Sequence, residues 1–213
     1  MENCPLIKVD ELQRRGVRLE YATITWSVIE TTGALTAGAL AGSVALTAFG
    51  ADSAIEMVSA VVVLNRLRSH TSLGGVDPTK EKRALRTLAV LFFALAAYVV
   101  IAAFGALLGG HHPAKSLLGL FTCLGAIVAM PVLARLKRTT ARQLSALDSC
   151  ACGQLLLTDA VESALCAWLS VSTVVGVLLG AWFGWWWADP MASLVVVYFA
   201  IREGREAWRG GLD

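Results

Sequence analysis

The sequence predicts an all-α integral membrane protein with six transmembrane helices, and three observations carry that expectation. Six apolar runs fill most of the 213 residues. Hydrophobic residues make up 56% of the chain and charged residues only 16%, a balance that a soluble protein burying one core does not need. Lys and Arg gather in alternate connections, as in a chain threaded back and forth across a bilayer.

Residues 1–20, MENCPLIKVDELQRRGVRLE, are mixed and charged. They hold neither an apolar stretch nor a small-residue cleavage pattern, so a cytoplasmic arm is expected and a cleaved leader is not. Residues 21–205 follow as one six-helix domain, and residues 206–213 as a short cytoplasmic tail. The expected spans are 22–40, 44–64, 87–109, 116–134, 154–181 and 188–201. A bilayer core needs about 20 helical residues. The last run is short and must draw on the preceding tryptophans or on the REGREAW segment after it.

Orientation follows from the basic side chains. Seventeen of the eighteen Lys and Arg precede span one, lie between spans two and three, follow span four or follow span six; Lys115 alone falls on the other side. Both termini are therefore expected in the cytoplasm. Trp182, Trp185, Trp186 and Trp187 fall between spans five and six, where an outer aromatic belt is expected. Short outer connections predict that spans one and two, three and four, and five and six form neighbouring hairpins. Glycines four apart, at 38 and 42, 105 and 109, and 176, 180 and 184, would let backbones approach closely.

Several function classes drop out. A scattered net charge of +2 gives no basic face for nucleic acid. No phosphate-binding loop supports ATP-driven pumping. Five cysteines without disulfide-like spacing are expected as free thiols.

What remains is a set of acids inside the apolar runs: Glu30, Asp52, Glu56, Asp159 and Glu162. These stretches hold no Lys or Arg to balance them, and carboxylates of this kind mark pathways for ions or protons. Asp52 and Glu56 are four apart on one face of span two. They can both stay ionised only beside a cation. In span five, TDAVESALCAW sets Asp159, Glu162 and Cys166 along one stripe. Glu56 and Glu162 are expected to meet near the midplane, with Asp52 and Cys166 a turn further out. Four such donors suit a tetrahedral divalent ion, and proton competition for the acids gives a means of release. Asp159 and Glu30 are kept as additional ligands or proton relays.

Weaker signals have plainer readings. His70 and Asp77 lie in the second cytoplasmic connection, where a solvated loop outweighs a role at the inner mouth. His111 and His112 read as an outer turn, Cys150 and Cys152 as a weak soft-metal pair, and Asp189 before Pro190 as a helix cap. Trp168 stands outside every one of these patterns.

With those residues placed, the chain resembles the cation diffusion facilitator family of metal transporters. AGSVALTAFGADSAIEMVSA is similar to that family's second span, and TDAVESALCAWLS followed by GWWWADPMASLVVV to its fifth span, outer turn and sixth span. The similarity covers most of residues 21–205 and implies a cation-efflux transmembrane fold. It carries a four-ligand site onto Asp52, Glu56, Glu162 and Cys166. The family pattern is two Asp, then His and Asp, so Glu56, Glu162 and Cys166 are departures that leave open the choice among Zn2+, Cd2+, Fe2+, Co2+ and Mn2+. The resemblance implies proton-coupled efflux by a secondary transporter rather than an enzyme, a homodimer, no permanently bound cofactor, and a bacterial plasma membrane setting. The family's cytosolic domain after span six has no counterpart before Asp213. Two competing expectations are a non-transporting assembly or regulatory protein and a carrier for protons or organic cations.

Overall fold

A computed structural model describes residues 4–71, 78–109, 114–147 and 152–210. They form six helices: α1 Cys4–Ala41, α2 Val44–Thr71, α3 Pro78–Gly109, α4 Leu117–Leu147, α5 Cys152–Phe183 and α6 Ala188–Gly210. Four of them contain stretches long and apolar enough to cross a bilayer: Val44–Arg68, Ala89–Gly109, Leu117–Ala146 and Leu155–Gly180. The chain is an integral membrane protein.

Polar groups share the interior with apolar ones, while many large apolar side chains face outward. On α1 the side chains hidden inside are Glu20, Thr23, Ser27, Glu30, Ala34, Ala37 and Ala41, spaced three and four apart so that they share one face. Val28, Ile29 and Leu40 point outward. On α2 the inner face runs through Phe49, Ser53, Glu56, Ala60, Val63 and Leu67; on α5 it runs through Leu156, Asp159, Ser163, Cys166, Ser170 and Thr173. On α1 small and polar groups turn in and large apolar groups turn out, while α2 and α5 mix polar groups with buried Phe49, Leu67 and Leu156. That arrangement suits a hydrocarbon surrounding, where polar groups find partners only inside the protein.

α1 is one continuous helix from Cys4, with no break between the expected arm and the first span. Its N-terminal half packs where Leu12, Val63, Leu67, Ala141, Leu144 and Leu156 form a small apolar cluster. α1 ends at Gly42, whose φ of 64° reverses the chain. Ser43 N donates to Gly38 O at 3.0 Å, the bond that closes such a helix end. Asp189 does cap a helix, but it is α2 rather than its own α6: its carboxylate accepts from Ser43 Oγ at 2.5 Å, Val44 N at 2.9 Å and Ala45 N at 3.3 Å. Beyond the expected sixth span, α6 runs on through REGREAW to Gly210. At the α5–α6 turn Trp185 stacks on Trp187 with ring centroids 5.2 Å apart.

The pairing of helices corrects one expectation. α1 packs along α2 and α5 touches α6, but α3 lies along α6 and α4 along α5, so spans three and four are not a packed hairpin among the described residues. A short link fixes only the ends of two helices; their sides go where surfaces fit. Gly204 of α6 seats Phe92 and Phe93 of α3, and α4 is tied to α5 by charge, as described below. The glycines also divide. Gly38 lies against Thr47 and Gly176 against Ala192, whereas nothing comes within 4 Å of where a side chain on Gly42 or Gly105 would begin.

Gly50 makes a closer approach than the four-apart pattern singled out. A Cβ there would stand 2.8 Å from Leu35 N and 3.1 Å from Ala34 Cβ. Gly50→Ala is expected to force α1 and α2 apart and cost about 1–3 kcal/mol. Gly105→Ala, with open space around it, should leave stability unchanged or raise it. Thermal melts of the two variants in detergent check the contrast.

Candidate metal centre

α1, α2 and α5 bring their inner faces together, and one donor from each meets there. Glu30, Glu56 and Cys166 offer ligand atoms that all lie within 4.8 Å of one another. All three residues are essentially sealed from solvent. Cys166 Sγ stands 4.0 Å from Glu30 Oε2, and Trp26 Nε1 donates to Glu30 Oε1. Neither oxygen of Glu56 accepts a hydrogen bond, although the side chains of Ser163 and Cys166 lie alongside. Donors bound at about 2.0–2.3 Å to one tetrahedral ion stand roughly 3.5 Å apart, so sub-ångström shifts would close these three around a cation.

Of the four ligands expected from the sequence, the structure brings Glu56 and Cys166 into this group. Asp52 and Glu162 stand outside it, and Glu30, expected as an additional ligand or a proton relay, fills the third place. The reason is register. Asp52 and Glu162 each sit one residue off the inward faces marked by Ser53 and Glu56 on α2 and by Ser163 and Cys166 on α5, and both are only half-buried. Asp52 lies within electrostatic range of Glu56 and of Glu203 on α6. Glu162 is in range of Asp159, Glu56 and Asp52, and its Oε1 is buried without a hydrogen bond.

A second cluster overturns the expectation that the acids lack a resident basic partner. Lys137, assigned from the sequence to a cytoplasmic connection, lies on α4 with its side chain fully buried. Its ammonium pairs with Asp159 Oδ2, stands 3.3 Å from Glu20 Oε2 and donates to Ser163 Oγ at 3.4 Å. Ser59 Oγ donates to Asp159 Oδ1 at 3.3 Å. Asp159 is thus half of an ion pair that joins α1, α4 and α5. It does not stand free as a ligand. Sequence reasoning missed both Glu20 and Lys137 by placing them outside the spans.

Asp77, His111, His112 and Cys150 lie outside the described residues, as do the side chains of His70 and Cys152. Cys123 is a buried free thiol on α4, as is Cys166 on α5, and Cys123 lies within electrostatic range of Glu30.

A membrane-embedded centre of two carboxylates and a thiol is what a carrier of positive metal ions needs. Residues 86–212 match the family model described as the cation efflux transmembrane domain, and with more than half its length matched the chain belongs to that family, the cation diffusion facilitators. The matched stretch holds α4, α5, α6 and the whole apolar part of α3, Ala89–Gly109; Glu30, Asp52 and Glu56 precede it. No curated protein sequence matches the chain.

The buried pair gives a stability test. Lys137→Met strands Glu20 and Asp159 without a counter-charge, an expected cost on the order of 3–5 kcal/mol. Adding Glu20→Gln and Asp159→Asn to it should restore most of the loss, because the charges are then removed together. Unfolding of the single and triple variants in detergent measures both steps.

Proposed function

We propose that the chain is a six-span secondary transporter that binds a divalent transition-metal ion among Glu30, Glu56 and Cys166 and exports it in exchange for protons. The family establishes metal cation efflux in general terms. The observation that carries the finer reading is Glu56, a fully buried carboxylate with no hydrogen bond of normal geometry and with the Ser163 and Cys166 side chains close beside it. A buried carboxylate left so costs several kcal/mol unless a cation or a proton joins it. Two neighbours with compatible donor atoms stand within ligand reach of it.

The donor set suggests the class of ion. Two carboxylates with one thiol suit Zn2+, Cd2+, Co2+ or Fe2+, and Mn2+ less well because sulfur is a soft donor. The donors must shed protons before the ion binds, so acid competes with metal at the same atoms. Coupling to a proton gradient follows from that competition. In this reading the chain performs no covalent chemistry and holds no resident cofactor, since the metal is cargo. Its setting is the bacterial plasma membrane, with lipid around the outward apolar faces, both termini in the cytoplasm, and a homodimer as the assembly.

Reconstituted vesicles carrying a pH dye provide the test. Addition of Zn2+ or Cd2+ should drive proton movement that Glu56→Gln reduces at least tenfold, and lowering the pH should weaken metal binding. Cys166→Ser should shift preference away from Cd2+ and toward Mn2+. Metal-driven flux that is indifferent to Glu56 would leave the transport site elsewhere.

A further inference from the structure

Trp26 lies one helical turn before Glu30 on α1, and its indole N–H is donated to Glu30 Oε1. The ring is itself held in place. It packs on the large buried cluster formed among the helices, and it passes over α4 at Gly125, where a Cβ would stand 2.9 Å from Cη2 and 3.0 Å from Cζ2. The bare glycine leaves the room the indole occupies. With Oε1 committed, Glu30 turns Oε2 toward Cys166 Sγ, 4.0 Å away.

A carboxylate can offer a cation one oxygen or two. Hard ions that gather six or more oxygens gain from two-oxygen coordination, while ions content with four donors need one. A hydrogen bond to the non-coordinating atom of a ligand fixes its orientation, and loss of such a bond typically costs 10–100-fold in metal affinity. We propose that Trp26 is a positioning and specificity-determining residue: by occupying Glu30 Oε1 it makes Glu30 a one-oxygen donor and biases the site toward four-coordinate ions such as Zn2+ and Cd2+ over Mn2+. The inference rests on the Glu30–Glu56–Cys166 reading of the cation site.

The full-length protein in detergent, titrated calorimetrically with Cd2+ and with Mn2+, separates the two claims. Trp26→Phe keeps a ring and removes the N–H. Cd2+ affinity should then fall on the order of tenfold, with Mn2+ affinity unchanged or raised, so the ratio between the ions narrows. Gly125→Ala should narrow the same ratio from α4 by displacing the indole, which covers the case in which the α1 variant does not fold. Glu30→Gln should weaken both ions. If Trp26→Phe and Gly125→Ala bind both ions as the parent does, or lose both in equal proportion, Trp26 has no selective role. If Glu30→Gln binds both ions unchanged, the site itself is misassigned and Trp26 falls with it.

Discussion

A lysine ammonium held out of water between two carboxylates from different helices sets the frame for everything around it. Burying Lys137, Glu20 and Asp159 costs several kcal/mol per ion, recovered only if the three stay in register. That requirement pins α1, α4 and α5 at one level. From there, a further two to three turns along α1 and two along α5, about 15 and 10 Å of rise, bring Glu30 and Cys166 opposite one another. α2 completes the arrangement because Asp189 of α6 fixes its N-terminus and Gly50 lets it lie close to α1. The triad thus aligns the candidate metal centre without belonging to it.

The same cluster changes the charge seen by the centre. Lys137 acts on Glu56 as an attractive neighbour while Asp159 opposes it, so the two partly cancel at the donors above. An unpaired Asp159 at that position would add a whole negative charge. Glu30 and Glu56 lie on the same inner face with no ion pair to Lys137. Ser163 links the two levels, taking a hydrogen bond from Lys137 and lying beside Glu56.

Much of this was legible in the sequence as periodicity. The inward faces of α1, α2 and α5 are spaced three and four apart, and helix boundaries follow the glycines and the charged connections. Two residues escaped because sign of charge was used as a marker of location. Lys137 looked like one more cytoplasmic basic residue, yet it falls on the buried register of α4 through Cys123, Ala126, Met130, Ala134, Ala141 and Leu144. Glu20 fell just inside the arm, yet Glu20, Thr23, Ser27 and Glu30 keep one unbroken register. Extending each register past the apolar run would have found both. The places of Asp52 and Glu162 depended on how α1 inserts against α2 and α5, a tertiary fact that spacing within a single helix does not contain.

In the proposed site, protons and a divalent ion would be natural alternatives, for a reason that lies in its composition. Glu30 and Glu56, both ionised, carry two negative charges into a medium that cannot solvate them. Two protons bring the pair to neutrality, and one divalent ion balances the same two carboxylate charges. Either occupant satisfies the same electrostatic demand, so exchanging one for the other leaves the buried charge unchanged. If the thiol ionises as well, the metal-bound state gains a negative charge that the low-polarity surroundings disfavour. An acid in place of Cys166 would carry that extra charge in every unprotonated state. A thiol carries it only when a soft metal has claimed the sulfur.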